Sequence, residues 1–273
     1  MSCSIAFCDD SILLRLAEKL DSLGEHDRSA VEYLRFAYKN PDDALARWSL
    51  FRAGRELEKD RNFHGARAIY KEIVEKNPCD SFALAGSYRS AVSFFNEGLL
   101  FRVVDFEPEC KKLDDEKFHY SSNYLKGWAF FLGRDYTNAE SIFARIPDEF
   151  ADSSALFMRE KSHDGLNIPK KSPILAASMS AIIPGAGRAY LGRWGDALID
   201  LIAVGGTLGG GYATFENDRT FAIGLLILGI ILYGGNVYGS YVGTCWQNEE
   251  IQLRFYEETR NHVNRRPEEL YDY

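Results

Sequence analysis

Two long apolar runs, residues 194–215 and 221–245, decide what this chain can become. At about 1.5 Å of helical rise per residue, each reaches the roughly 30 Å of a bilayer core. Inside hydrocarbon the backbone must satisfy its own hydrogen bonds, so both runs read as helices. Only Glu216-Asn217-Asp218-Arg219-Thr220 separates them. A link that short turns the second run back along the first, which predicts a transmembrane helical hairpin.

Glycine crowds both runs. Gly235, Gly239 and Gly243 fall on one face at four-residue spacing, and Gly205 and Gly209 open a groove in the first run. Small residues let helix backbones approach where lipid is as apolar as leucine. These positions are expected to close the hairpin on itself, or to form the seam of a homo-oligomer by the same rule. Ahead of the first run, residues 173–183 are apolar but too short to cross, which predicts an interfacial or re-entrant helix ended by Pro184-Gly185-Ala186-Gly187. Arg188 and Arg193 are expected to snorkel to headgroups, with Tyr190 and Trp194 at the interface. Asp196 reads as a cap near the span's start. Asp200 is an intramembrane acid and so a functional candidate by default. Asn236 reads as an interhelical hydrogen-bond partner.

Lys171-Ser172-Pro173, the run P-G-A-G-R-A-Y-L-G-R at 184–193, Asp196-Ala197-Leu198 and Gly235-Asn-Val-Tyr-Gly239 together carry a resemblance. The chain resembles a family of bacterial envelope proteins that join a tetratricopeptide-like helical domain to a C-terminal membrane hairpin marked P-G-x-G-Q-x-Y-x-G-R. The motif positions are Pro184, Gly185, Gly187, Tyr190, Gly192 and Arg193; Arg188 stands where glutamine is usual. The resemblance implies an envelope location and no particular chemistry.

From residue 9 to about 163, apolar residues recur at three- and four-residue spacing with no strand pattern. Ala30 to Ala37 before Pro41, Ala66 to Tyr70 before Pro78, and Ala139 to Phe143 before Pro147 repeat a small-x3-large step followed by proline, with a period of about 36. A degenerate unit is expected at 81–106, and a capping helix near 149–161. The predicted fold class is therefore all-α: a tetratricopeptide-like solenoid over 9–163, a linker at 164–172, the membrane part at 173–246, and an amphipathic helix and tail at 247–273.

The chain has 273 residues and a net charge of −8 without a basic stripe, which argues against a nucleic-acid partner. Its five cysteines and five histidines are scattered without zinc spacing. No Ser-His-Asp, Cys-His, Walker or dinucleotide pattern is present, so neither enzyme, metal nor cofactor is expected. The expected partners are the bilayer and a protein or peptide on the repeats, as befits a membrane-anchored interaction scaffold. A subunit of a transport or insertion machine, using the hairpin's glycines and Asp200, is the alternative. Lys170, Lys171, Arg188 and Arg193 before the hairpin and Arg254, Arg260, Arg265 and Arg266 after it flank it, while Arg219 is alone at its tip. The positive-inside rule therefore puts both flanks in the cytoplasm of a multi-pass inner-membrane protein. A signal peptide upstream of Met1, of which residues 4–8 would be the tail, would instead send the repeats to the periplasm. There Cys79 and Cys110, at opposite ends of the degenerate unit, would be placed to form a disulfide.

Overall fold

The computed structural model describes residues 6–107 and 115–271, with side chains from residue 12. Among them there are thirteen α-helices and no strand, and the chain divides into two units, residues 1–166 with 262–273, and residues 167–261.

Nine helices build the first unit: α1 (Ala6–Ser22), α2 (His26–Lys39), α3 (Ala46–Lys59), α4 (Phe63–Lys76), α5 (Ser81–Asn96), α6 (Leu100–Val104), α7 (Glu116–Leu132), α8 (Tyr136–Phe143) and α9 (Ser154–Leu166). Each packs on the next, and α5 touches both α3 and α7, so the helices stack in two layers with α3, α5 and α7 side by side. The regularity lies in the turns. Gly24, Arg61, Gly98 and Arg134 all adopt left-handed φ values, 37, 37 and 36 residues apart. After each, the next residue's N–H closes a 2.8–3.0 Å bond to the carbonyl five positions back, at Leu20, Leu57, Phe94 and Phe130. This is the Schellman ending, which satisfies carbonyls a helix C-terminus leaves open. Asn62 and Asp135 then cap α4 and α8 from the side chain.

Within a pair, a small residue faces a ring. A Cβ on Gly54 would lie 2.5 Å from the Tyr70 ring, and one on Gly127, 73 positions further on, 2.7 Å from Phe143. Ala66 and Ala139 are fully buried beside them. Tyr33, Phe51, Tyr70, Tyr88, Leu125 and Phe143 fill the interior; burying each such side chain contributes on the order of 2 kcal/mol. The degenerate unit over 81–106 is α5 with the five-residue α6, its second helix cut short. The capping helix α9 starts at Ser154, because Ala151, Asp152 and Ser153 run left-handed and cannot join it. It also continues through Leu166 into the expected linker. Lys161 ties to Asp164 at 2.8 Å, and Gly165 leaves room for the Tyr136 ring; the linker shortens to 167–172.

The second unit holds α10 (Pro173–Ile182), α11 (Ala186–Tyr190), α12 (Trp194–Thr214) and most of α13 (Arg219–His262). α12 and α13 are long and apolar enough to cross a membrane. They run antiparallel: a Cβ on Gly211 would touch Leu226, and one on Gly229 would touch Leu208. Ile199, Ile202, Ile230 and Ile231 are each about two-thirds exposed, an apolar surface that soluble monomers rarely present. The amphipathic stretch expected at 247–264 is helical to His262 as a continuation of the second apolar helix. No proline or glycine interrupts residues 244–262, so α13 runs on unbroken to His262.

Candidate functional site

The last residues of the chain return to the first unit. Pro267–Glu269 form one 3-10 turn lying on α5 and α7, and the groove holds it by its backbone. Tyr88 Oη on α5 donates to the Pro267 carbonyl at 2.5 Å. The neighbouring Arg89 Nη1 donates to the Glu268 carbonyl at 2.8 Å. Tyr124 Oη on α7 donates to the Arg265 carbonyl at 2.7 Å. Arg89 is oriented from behind by a buried ion pair to Glu58 on α3.

One side chain is read as well. Tyr271 is buried, with its ring centroid 5.3 Å from Phe118 and 5.7 Å from Tyr88, and Lys117 lies over its face at 5.7 Å. Its hydroxyl donates to Asp115 Oδ2 at 2.6 Å, while Asp115 Oδ1 caps α7 at the Phe118 N–H. At the other end, Arg265 N–H donates to Ser154 Oγ at 3.1 Å and its guanidinium meets Asp152 at 2.7 Å. Asp152 stands in the left-handed run 151–153, a conformation that costs roughly 1–2 kcal/mol per residue. Burial pushes the Tyr124 phenol up to about 12. It raises Tyr88 further, and raises Tyr271 with help from the Asp115 carboxylate.

In the second unit the P-G-x-G motif builds a knot of tight turns. Pro184 follows the end of α10. Gly185 has φ +85°, and its N–H donates to Asn236 Oδ1 at 3.1 Å. A Cβ there would lie 2.1 Å from the Ala197 carbonyl oxygen, and one on Gly187 would lie 2.2 Å from that of Ala176. Gly187 N–H donates to Ser180 Oγ at 2.9 Å, which shares a 2.7 Å bond with Ser240. Asn236 Nδ2 donates to the Ser180 carbonyl at 3.3 Å. Gly192, at φ +85°, ends α11.

Arg188 does not reach outward as expected, whereas Arg193 stays exposed. Arg188 Nε binds Asp200 Oδ2 at 2.8 Å, because the five-residue α11 turns it back toward α12. Arg193 pairs with Asp196 in the first turn of α12, where the helix dipole favours an acid. Tyr190 is an internal tie: its carbonyl accepts Lys171 Nζ at 2.9 Å and its hydroxyl accepts the Ser172 N–H at 3.3 Å. Lys171 also lies over the Tyr190 ring.

The glycine faces also need correction. A Cβ at Gly205, Gly209 or Gly235 would meet nothing within 4 Å, and at Gly239 only the Arg188 guanidinium at 3.3 Å. At Gly243 it would touch Leu191 at 3.5 Å. Gly211 and Gly229 make the close approaches between α12 and α13, since the antiparallel register brings them against Leu226 and Leu208.

Asp21, His26 and Glu56 place ligand atoms within 4.8 Å of one another. Lys59 Nζ already bridges Asp21 and Glu56 at 2.7 and 2.8 Å, with Arg52 beside it. An ammonium therefore stands where a metal would. Cys79 is disulfide-bonded and Cys245 is a free thiol; Cys110, expected to pair with Cys79, lies outside the described residues. The sequence reading missed Tyr88, Arg89, Tyr124 and Tyr271. The one available signal was the Tyr-rich, proline-containing end of the chain. No protein-family profile, curated protein or solved structure matches this chain.

Proposed function

We propose that this chain is a membrane-anchored helical-repeat protein that serves as a protein–protein interaction scaffold at a bacterial membrane, its hairpin the anchor and its repeats tetratricopeptide-like. One observation carries the reading. The α5–α7 face holds a short turn-containing segment through three backbone carbonyls and one aromatic slot, which is how grooves recognise peptides: main-chain bonds for affinity, pockets for specificity. The exposed apolar faces of α12 and α13 and the family resemblance support the anchor. The alternative, a transport or insertion subunit, would need Asp200 free to work; its bond to Arg188 favours a structural tie.

The test is photo-crosslinking in native membranes, with a photoreactive residue replacing Lys117 at the groove edge or Lys71 on the far side of α4. A discrete adduct with another polypeptide from position 117, absent from position 71, is the expected result. Equal labelling at the two positions would defeat the reading.

A further inference from the structure

We infer that the groove on α5 and α7 is a site for a peptide of the pattern Arg-x-Pro-x3-aromatic that makes one 3-10 turn, and that residues 265–271 are the chain's own copy of that ligand, occupying the site until a partner peptide displaces it. The inference rests on the scaffold reading above and names its ligand.

Three features argue for it. First, Tyr88, Arg89 and Tyr124 bind the carbonyls of Arg265, Pro267 and Glu268. These bonds go to main-chain carbonyls of a segment that makes one 3-10 turn, so a ligand needs that turn and not this particular side-chain sequence at every position. Second, selection falls on few side chains. Pro267 and Tyr271 are buried while Glu269 projects outward, and Asp152 reads Arg265 from an exposed position. Tyr271 enters a slot built from Tyr88 and Phe118 and closed by Asp115. Third, the segment has little structure of its own: one 3-10 turn, joined to α13 by four residues. Its placement therefore depends on the contacts it makes with the groove and not on structure of its own.

An occupant tethered this closely competes at an effective concentration on the order of millimolar. Against a groove whose own affinity for such a peptide is about 10–100 μM, that would weaken binding of an outside peptide about 10- to 100-fold.

The experiment uses the full-length protein in detergent micelles and a fluorescein-labelled synthetic peptide copying residues 264–273, titrated by fluorescence anisotropy. Tyr271→Ala in the protein is expected to raise peptide affinity about 10- to 100-fold over the unaltered chain. A peptide with alanine in place of its first tyrosine is expected to lose at least about tenfold, because it leaves the slot empty. If Tyr271→Ala costs the protein its helical circular dichroism, Tyr271→Phe, which keeps the ring and loses only the Asp115 bond, is expected to give a gain of a few-fold. Equal affinity for the unaltered and released proteins overturns self-occupation. No binding to either, while the Lys117 crosslink persists, overturns the ligand assignment and leaves the scaffold reading standing. Loss of both removes the two together.

Discussion

At the scale of single residues, the tail is held by three phenols in their protonated form. Burial raises Tyr124 to about 12 and lifts Tyr88 higher; Tyr271 is raised by burial and by the Asp115 carboxylate that accepts its hydrogen bond. A phenol whose folded pKa lies above its unfolded value of about 10 contributes its full stability below that pH. The contribution is lost as the pH rises through the folded value. Docking of residues 265–271 should therefore hold to about pH 10 and fail from there through about 12. Absorbance of tyrosinate during an alkaline titration is the measurement: a late-titrating group of tyrosines is expected, and Tyr271→Ala should move Tyr124 and Tyr88 toward ordinary behaviour. An unchanged late group would mean that the tail does not bury them. None of this was legible in the sequence. Tyr88 and Tyr124 sit at helical spacing and read as core, which they also are. Their hydroxyls acquire a purpose only once a segment more than a hundred residues away returns to meet them.

At the scale of elements, legibility followed local chemistry. Gly24 and Gly98 announce turns, since glycine accepts left-handed φ freely. Arg61 and Arg134 make the same turn without that signal, so the four-fold regularity shows only in the structure. In the hairpin the period of small residues was readable, but the partner of each face was not. Spacing reports which residues share a face and says nothing of what the face meets. Gly205, Gly209 and Gly235 share faces that stay open within this chain, whereas Gly187, in a five-residue helix, is hemmed in by the Ala176 carbonyl and Ser180. Gly187→Ala should force backbone apart and destabilise the second unit by about 1–3 kcal/mol, while Gly209→Ala should stay within about 0.5 kcal/mol of the parent. Thermal unfolding in detergent, followed by protease sensitivity of the hairpin, reads both; equal effects would contradict this packing. Leucine at Gly239 would act differently, by pushing the Arg188 guanidinium away from Asp200. The arginine at 188 thus comes with a carboxylate to receive it.

At the scale of the whole chain, all-helical architecture and two apolar helices were readable because hydropathy and period survive any rearrangement of loops. The side of the membrane is harder, since two physical rules disagree. The positive charges flanking the hairpin favour cytoplasmic ends, yet Arg188 and Arg193 among them are spent on Asp200 and Asp196. Cys79 is disulfide-bonded, and disulfides persist in oxidising compartments while thiols stay reduced in the cytosol. Charge asymmetry biases insertion and an oxidised Cys79 requires an oxidising compartment, so the redox state of this residue in the membrane decides between the two rules. Protein taken straight from membranes into denaturant with an alkylating reagent should show Cys245 modified at once and Cys79 modified only after reductant is added. The repeats would then face an oxidising compartment, and both ends of the hairpin would lie on that side. A cysteine placed at Asn217, in the tip, would be sheltered from an impermeant reagent. Complete alkylation of Cys79 without reductant would reverse the assignment: the repeats would return to the cytoplasm, the charge rule would hold, and position 217 would become the one accessible from outside.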